Sequence, residues 1–149
     1  MFFKPMQHKN AGLSHNPLKA IVSPRPIGWI ASKGADGSLN LAPYSFFNAI
    51  SEDPAMVMFS VQSDHESHRK DSLRNIDETG EFVVNIVSEM QFDAMNISSG
   101  TYPYGENEFD LAGLKTVASQ TVAVPRASSV PAALECQHHQ TLDLPRNDD

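Results

Sequence analysis

The chain has 149 residues, enough for one domain with a substantial core, and 18 acidic against 11 basic side chains give it a net charge of −7. That balance excludes nucleic acid as the main partner, because phosphate backbones are held by clustered Lys and Arg. Hydrophobic residues are 40% of the chain and charged residues 19%, and no apolar run approaches the ~20 residues of a membrane helix.

The start, Met1-Phe2-Phe3-Lys4-Pro5, lacks the apolar core of a signal peptide. The single cysteine, Cys136, has no internal disulfide partner, so a reducing cytoplasm is the expected compartment. Residues 1–18 read as an irregular lead-in broken by Asn10, Gly12, Asn16 and Pro17. Lys19-Ala20-Ile21-Val22 reads as a short edge strand. Pro24 and Pro26 hold Arg25 on extended backbone, where it serves either as a solvated loop arginine or as a ligand contact. Residues 27–32, with Trp29 and two isoleucines, read as a strand, and Asp36-Gly37 marks a hairpin turn into a return strand from Leu39.

The return strand enters the stretch around which the chain is organised, residues 40–51. It packs Tyr44, Phe46 and Phe47 beside Ser45, Ser51, Asn40 and Asn48, with no charge. Apolar faces beside fixed hydrogen-bonding groups suit a flat, partly polar ring such as a flavin; the alternative is a strand and turn capping a barrel. Residues 55–61 form an apolar run short enough for a strand buried on both faces.

Polarity then rises. Residues 67–80 predict a helix capped by Ser67 and stopped by Gly80, with a narrow stripe of Leu73 and Ile76. His65, His68, Arg69, Lys70 and Ser72 gather at its start. A helix N-terminus with these side chains suits a phosphate; the competing reading is a solvated charged helix. The two histidines lack further ligands at a defined spacing, so no metal is expected.

Residues 81–87 read as the clearest strand, followed by a capping box of Ser88 and Gln91 and a helix to about Ser98 with Phe92, Ala94 and Met95 on its packed side. Residues 98–107 form a loop whose exposed aromatics suit a lid or a partner contact, and 108–114 a short helical turn. Residues 115–117 and 121–124 read as short strands, and 134–144 as a longer one. His138 and His139 point to opposite faces of it and cannot converge on a metal, and Cys136 reads as a small buried residue.

In order, the blocks Pro24-Arg25-Pro26-Ile27-Gly28-Trp29, Asn40-Leu41-Ala42-Pro43-Tyr44-Ser45-Phe46-Phe47, Lys70-Asp71-Ser72-Leu73-Arg74-Asn75, Thr79-Gly80-Glu81-Phe82 and Tyr102-Pro103-Tyr104-Gly105-Glu106-Asn107-Glu108-Phe109 resemble the flavin reductase-like, FMN-binding split-barrel family, near its flavoredoxin group. The resemblance runs from about residue 20 to 144. It implies one mainly β domain over residues 1–149, an antiparallel Greek-key split barrel with flanking helices. It also implies a homodimer that binds FMN, takes electrons from NADH or NADPH, and hands reduced flavin to a partner oxygenase or another acceptor. By motif, Ala42, Pro43, Tyr44, Ser45, Phe46, Phe47 and Asn48 would line the ring and ribityl chain, with Ser60 and Val61 nearby. Lys70, Asp71 and Ser72 would hold the phosphate. Because the cofactor carries the chemistry, no catalytic side chain is named. Ser45 and the backbone around it are the candidates for stabilising negative charge on reduced flavin. Relatives continue past residue 149 into at least one more strand, so the expected barrel lacks its last strand and has an exposed edge. A flavin-binding electron carrier without nicotinamide activity of its own, or an inactive fragment, are the alternatives.

Overall fold

A computed structural model describes residues 2–62 and 70–144. The expected helix cap Ser67, together with His65, His68, Arg69 and the tail 145–149, lies outside the described residues. The architecture is mainly β with flanking helices. Strands β1 (Gly28–Lys33), β2 (Leu39–Tyr44), β3 (Phe47–Glu52) and β4 (Ala55–Phe59) precede helix α2 (Asp71–Thr79), and helix α1 (Leu18–Ile21) lies before them all. Strand β5 (Glu81–Asn85), helices α3 (Phe92–Ser98) and α4 (Glu108–Leu111), and strands β6 (Thr116–Val117), β7 (Arg126–Ala127) and β8 (Ala133–Gln137) complete the order.

The main sheet runs β2-β1-β5-β8, antiparallel throughout. Its central strands are buried on both faces, which is why β1 and β5 carry apolar residues at successive positions. Trp29, Ala31 and Val83 face a cluster with Leu41, Met95 and Phe109, covered by α3 and α4. Ile30, Phe82 and Val84 face the other way, against Ile76 of α2 and the apolar side of the β3–β4 hairpin, including Phe47, Val57 and Phe59. Buried polar groups on these faces find partners: the Trp29 indole N–H donates to Ser98 Oγ at 2.9 Å, and the Asn85 amide donates to the Trp29 carbonyl and accepts from the Ala127 N–H.

The local signals held. The Asp36-Gly37 turn joins β1 to β2 in register, with Gly37 at φ +89°. Gly80, at φ +76°, ends α2 by donating to the Ile76 carbonyl at 2.8 Å. Ser88 and Gln91 form the expected capping box, on a 3-10 turn leading into α3.

Several expectations are corrected. Residues 19–22 are not an edge strand: Leu18–Ile21 is one turn of helix, because Asn16 Oδ1 accepts the Leu18 N–H and the Arg25 guanidinium caps carbonyls at its other end. The apolar run from Ala55 is not buried on both faces. Among the described residues β4 pairs with β3 alone, and Met58 is 53% exposed, as is Ile50 on β3 at 54%. Phe92 is not on the packed side of α3 but 57% exposed; Gln91, Met95 and Ser98 hold that side. Residues 121–124 form no strand. Instead β6 pairs with β7, and two carboxylates pin the 120–123 loop: Glu135 accepts the Gln120 and Thr121 N–H groups and Glu81 the Ala123 N–H. The last long strand stops at Gln137.

Gly28 ties the hairpin to the main sheet by being small: a Cβ there would lie 2.7 Å from Phe47 Cδ2. Gly28→Ala should therefore lower stability by about 1–3 kcal/mol through overpacking, read as a lower midpoint in denaturant titration. An unchanged midpoint would show that the hairpin does not depend on this close approach.

Candidate functional site

The aromatic stretch lies where the chain changes sheets. It leaves the main sheet at Tyr44 and enters the separate hairpin at Phe47, so Ser45 and Phe46 belong to neither ladder. Among the described residues Ser45 makes no hydrogen bond, through hydroxyl or backbone, while the Phe46 carbonyl accepts the Ser60 N–H at 2.9 Å. Ala42, Pro43, Tyr44, Ser45, Phe46, Phe47, Ser60 and Val61 are all half-buried, whereas Asn48 is exposed on β3. The Tyr44 and Phe59 rings pack 5.1 Å apart. Arg25 is not a free loop cation: Nη1 donates to the carbonyls of Val22, at 2.6 Å, and Lys19, and the guanidinium sits 5.7 Å from the Phe46 ring centre.

The helix start meets this stretch. Lys70 is the exposed N-cap residue of α2, Asp71 is half-buried in its first turn, and Ser72 is 1% exposed. Ser72 Oγ accepts from the Asn40 side-chain amide at 2.8 Å and from the Tyr44 hydroxyl at 3.0 Å. A serine oxygen has two lone pairs. With Tyr44 as the donor both are engaged, and Ser72 then keeps its own proton for a further acceptor. Among the described residues no side chain caps the N-terminus of α2, and first-turn N–H groups of this kind suit water or an anion.

One residue of this region escaped the sequence reading. Glu108, 5% exposed, accepts the Leu41 N–H at 2.9 Å through Oε2. β2 is a terminal strand of the main sheet, and the Glu108 carboxylate pairs an N–H on its free edge. Burial raises the Glu108 pKa, opposed by the Leu41 hydrogen bond and reinforced by the negative charge of Asp71. Burial likewise raises Asp71, against the pull of Arg74 and Lys70, and raises Tyr44, with help from both carboxylates. A polar residue three places past Gly105, in a Glu-Asn-Glu run, gave no pattern by which to single it out.

Two open concavities, of about 450 and 210 Å³, lie elsewhere, walled by Lys33 with Leu39 and Val122, and by Lys33 with Glu81 and Val124. None of the expected site residues lines either. Among the described residues no cluster of three or more His, Cys, Asp or Glu could hold a metal. Burial pushes the Cys136 thiol up to about 11, the behaviour of a packing residue.

A profile of the flavin reductase like domain matches residues 22–148. The chain belongs to that family. A protein of Aquifex aeolicus without an assigned role is 42% identical over 124 residues, 83% of this chain and 63% of the relative. This chain thus spans about six-tenths of the length of such curated relatives. Among solved structures, the nitrilotriacetate monooxygenase component B of Bacillus cereus is 32% identical with a TM-score of 0.87, covering 100% of this chain and 73% of that one. The 2-nitrobenzoate 2-nitroreductase of Pseudomonas fluorescens is 33% identical with a TM-score of 0.78, covering 97% and 69%. The fold is the split barrel of this flavin reductase-like group.

The raised Glu108 pKa has a definite sign in stability. The native state holds this proton more tightly than the unfolded chain, so the cost of the charged form is absent below the ordinary glutamate pKa and grows as pH rises through the native one. Glu108→Gln keeps an acceptor for the Leu41 N–H without the charge. Its thermal midpoint should equal or exceed the parent's at neutral pH, with the gain shrinking in acid. Glu108→Ala strands the N–H and should lose about 1–3 kcal/mol. A glutamine variant less stable than the parent at neutral pH would contradict this assignment.

Proposed function

We propose that this protein is an FMN-binding oxidoreductase, passing electrons from NADH or NADPH through flavin to a downstream acceptor. The observation that carries the reading is the junction at Ser72, where one hydroxyl joins the helix start to the aromatic stretch through Asn40 and Tyr44. The residues present fit such a cofactor: half-buried aromatic faces and Ser45 donors unpaired among the described residues at one end, and the N-terminus of α2 with Lys70 and the Ser72 hydroxyl at the other.

In this reading Tyr44, Phe46 and Phe47 flank the ring and keep water from it, and Ala42 and Pro43 supply the adjoining strand. Asn48, Ser60 and Val61 lie along the neighbouring hairpin. The free N–H and hydroxyl of Ser45 give hydrogen-bond donors fixed in advance for developing negative charge. Lys70, the Ser72 hydroxyl and the first-turn N–H groups hold the phosphate, and Asp71 contributes its own backbone N–H. When bound, FMN supplies the two-electron chemistry. Arg25 and the Asn40–Ser72–Tyr44 bonds keep the two ends in place. The names of the two solved relatives, one a monooxygenase component and the other a nitroreductase, support reduction as the activity and a partner oxygenase as one acceptor. No helix among the described residues is long and apolar enough to cross a membrane. Residence in the cytoplasm as a homodimer completes the proposal.

Purified protein given FMN and then desalted should stay yellow, and anaerobic NADH or NADPH should bleach it. Protein that retains no flavin at high concentration would overturn the reading; flavin retained but bleached only by an added reductase would make the protein an electron carrier. Lys70→Ala should weaken FMN binding about two- to fivefold at low salt, with the difference narrowing at high salt.

A further inference from the structure

We propose that residues 104–108 are a positioning clamp, holding the start of α2 against β2 and so fixing the distance between the phosphate end and the ring end of the site. The inference rests on the flavin reading for its consequence, but not for its structural basis.

Helix α2 is weakly held by apolar packing. Of its buried residues Ser72, Asn75 and Ile76, only the last is hydrophobic. Ser72 docks on β2 through Asn40 and Tyr44, and Asn75 donates to Ser32 Oγ at 3.2 Å, leaving its buried Oδ1 without a partner. A nine-residue helix docked this way needs another restraint, and the loop before α4 supplies it.

Arg74, one turn into α2, lies over the Tyr104 ring with its guanidinium carbon 4.2 Å from the ring centre. Glu78, 3.2 Å from Arg74 Nε, steadies the guanidinium from the next turn. The Tyr104 hydroxyl lies 3.3 Å from Asp36 Oδ2 and from Ser38 Oγ, in the β1–β2 turn. That turn is itself braced by the Ser38 N–H and hydroxyl donating to Asp36. Gly34 makes room, since a Cβ there would lie 3.0 Å from the Tyr104 hydroxyl. The chain then turns at Gly105, φ +90°. Asn107 accepts the Phe109 N–H to open α4, Glu108 bonds the Leu41 N–H, and Phe109, 1% exposed, enters the core beside Trp29 and Leu41. The segment is thus rooted in the core at one end. At the other it grips α2 and the hairpin turn, and between them it holds the β2 edge next to Asn40.

The clamp acts through Ser72 rather than by touching a ligand. Losing the Tyr104 ring frees Arg74 and lets the helix start shift relative to Asn40 and Tyr44. Tyr104 is on the surface, 39% exposed, so its removal leaves the core intact.

The test is a set of Tyr104→Ala, Tyr104→Phe, Arg74→Ala and the double alanine variant, read in two ways. Amide hydrogen exchange across residues 74–79, without flavin, should quicken in Tyr104→Ala and less so in Tyr104→Phe, which keeps the ring on Arg74 but loses the hydroxyl contacts to Asp36 and Ser38. FMN titration should show about a two- to fivefold loss in each single alanine variant, the scale of an exposed cation–π contact, and no further loss in the double variant, because the two side chains act as one unit. Parent-like exchange in Tyr104→Ala overturns the clamp, as does additive loss in the double variant. If the parent protein itself takes up no FMN, the flavin reading fails, and the exchange measurement still decides the clamp.

Discussion

The Ser72 hydroxyl is the joint on which the site depends. It belongs to the first turn of α2, yet both of its lone pairs are taken by β2, through Asn40 and Tyr44. A buried hydroxyl that lost these donors would leave an amide and a phenol unsatisfied beside it, at a cost of about 1–3 kcal/mol for each stranded group. The bonds therefore bind a polar helix to the sheet where apolar contact alone is thin. They also bring a helix N-terminus, with its outward N–H groups and partial positive charge, next to an uncharged aromatic stretch. Neither half makes a flavin site alone. An aromatic strand end is ordinary barrel packing, and a basic helix start is ordinary solvated surface.

Charge around the joint is mixed. Lys70 and Arg74 favour an anion, while Asp71 and Glu108 oppose it, and the pKa of each carboxyl is raised mainly by burial. An anion held here gains less from net local charge than from hydrogen-bond direction. The Ser72 proton and the first-turn N–H groups give that direction without adding positive charge. The proposed phosphate seat is in this way compatible with a chain that carries −7 overall.

Features encoded by neighbours in sequence were legible. Asp36-Gly37 demanded a tight turn, Gly80 a left-handed helix stop, and Ser88 with Gln91 a capping box, and each stands as read. The ordered blocks around Tyr44 and Ser72 were enough to reach the family and the split barrel. What stayed hidden was decided at long range. Lys19 to Val22 looked like a strand because the Arg25 contacts that cap the turn depend on how the chain folds back. The run from Ala55 looked buried because periodicity cannot reveal that its strand pairs, among the described residues, with one neighbour alone. Glu108 and Leu41 lie 67 residues apart, and Arg74 and Tyr104 meet only because the loop before α4 folds back onto α2. No local pattern announces a carboxylate that pairs a sheet edge or a tyrosine that supports a guanidinium.

The sharpest check is calorimetric titration of the protein with FMN and, separately, with riboflavin, which offers the same ring without the phosphate. If the helix start and the aromatic stretch grip one molecule together, FMN should bind about a hundredfold or more tighter, the equivalent of about two charge-assisted hydrogen bonds. Equal affinity for the two would mean that the start of α2 holds nothing, and that the Ser72 junction is architecture alone.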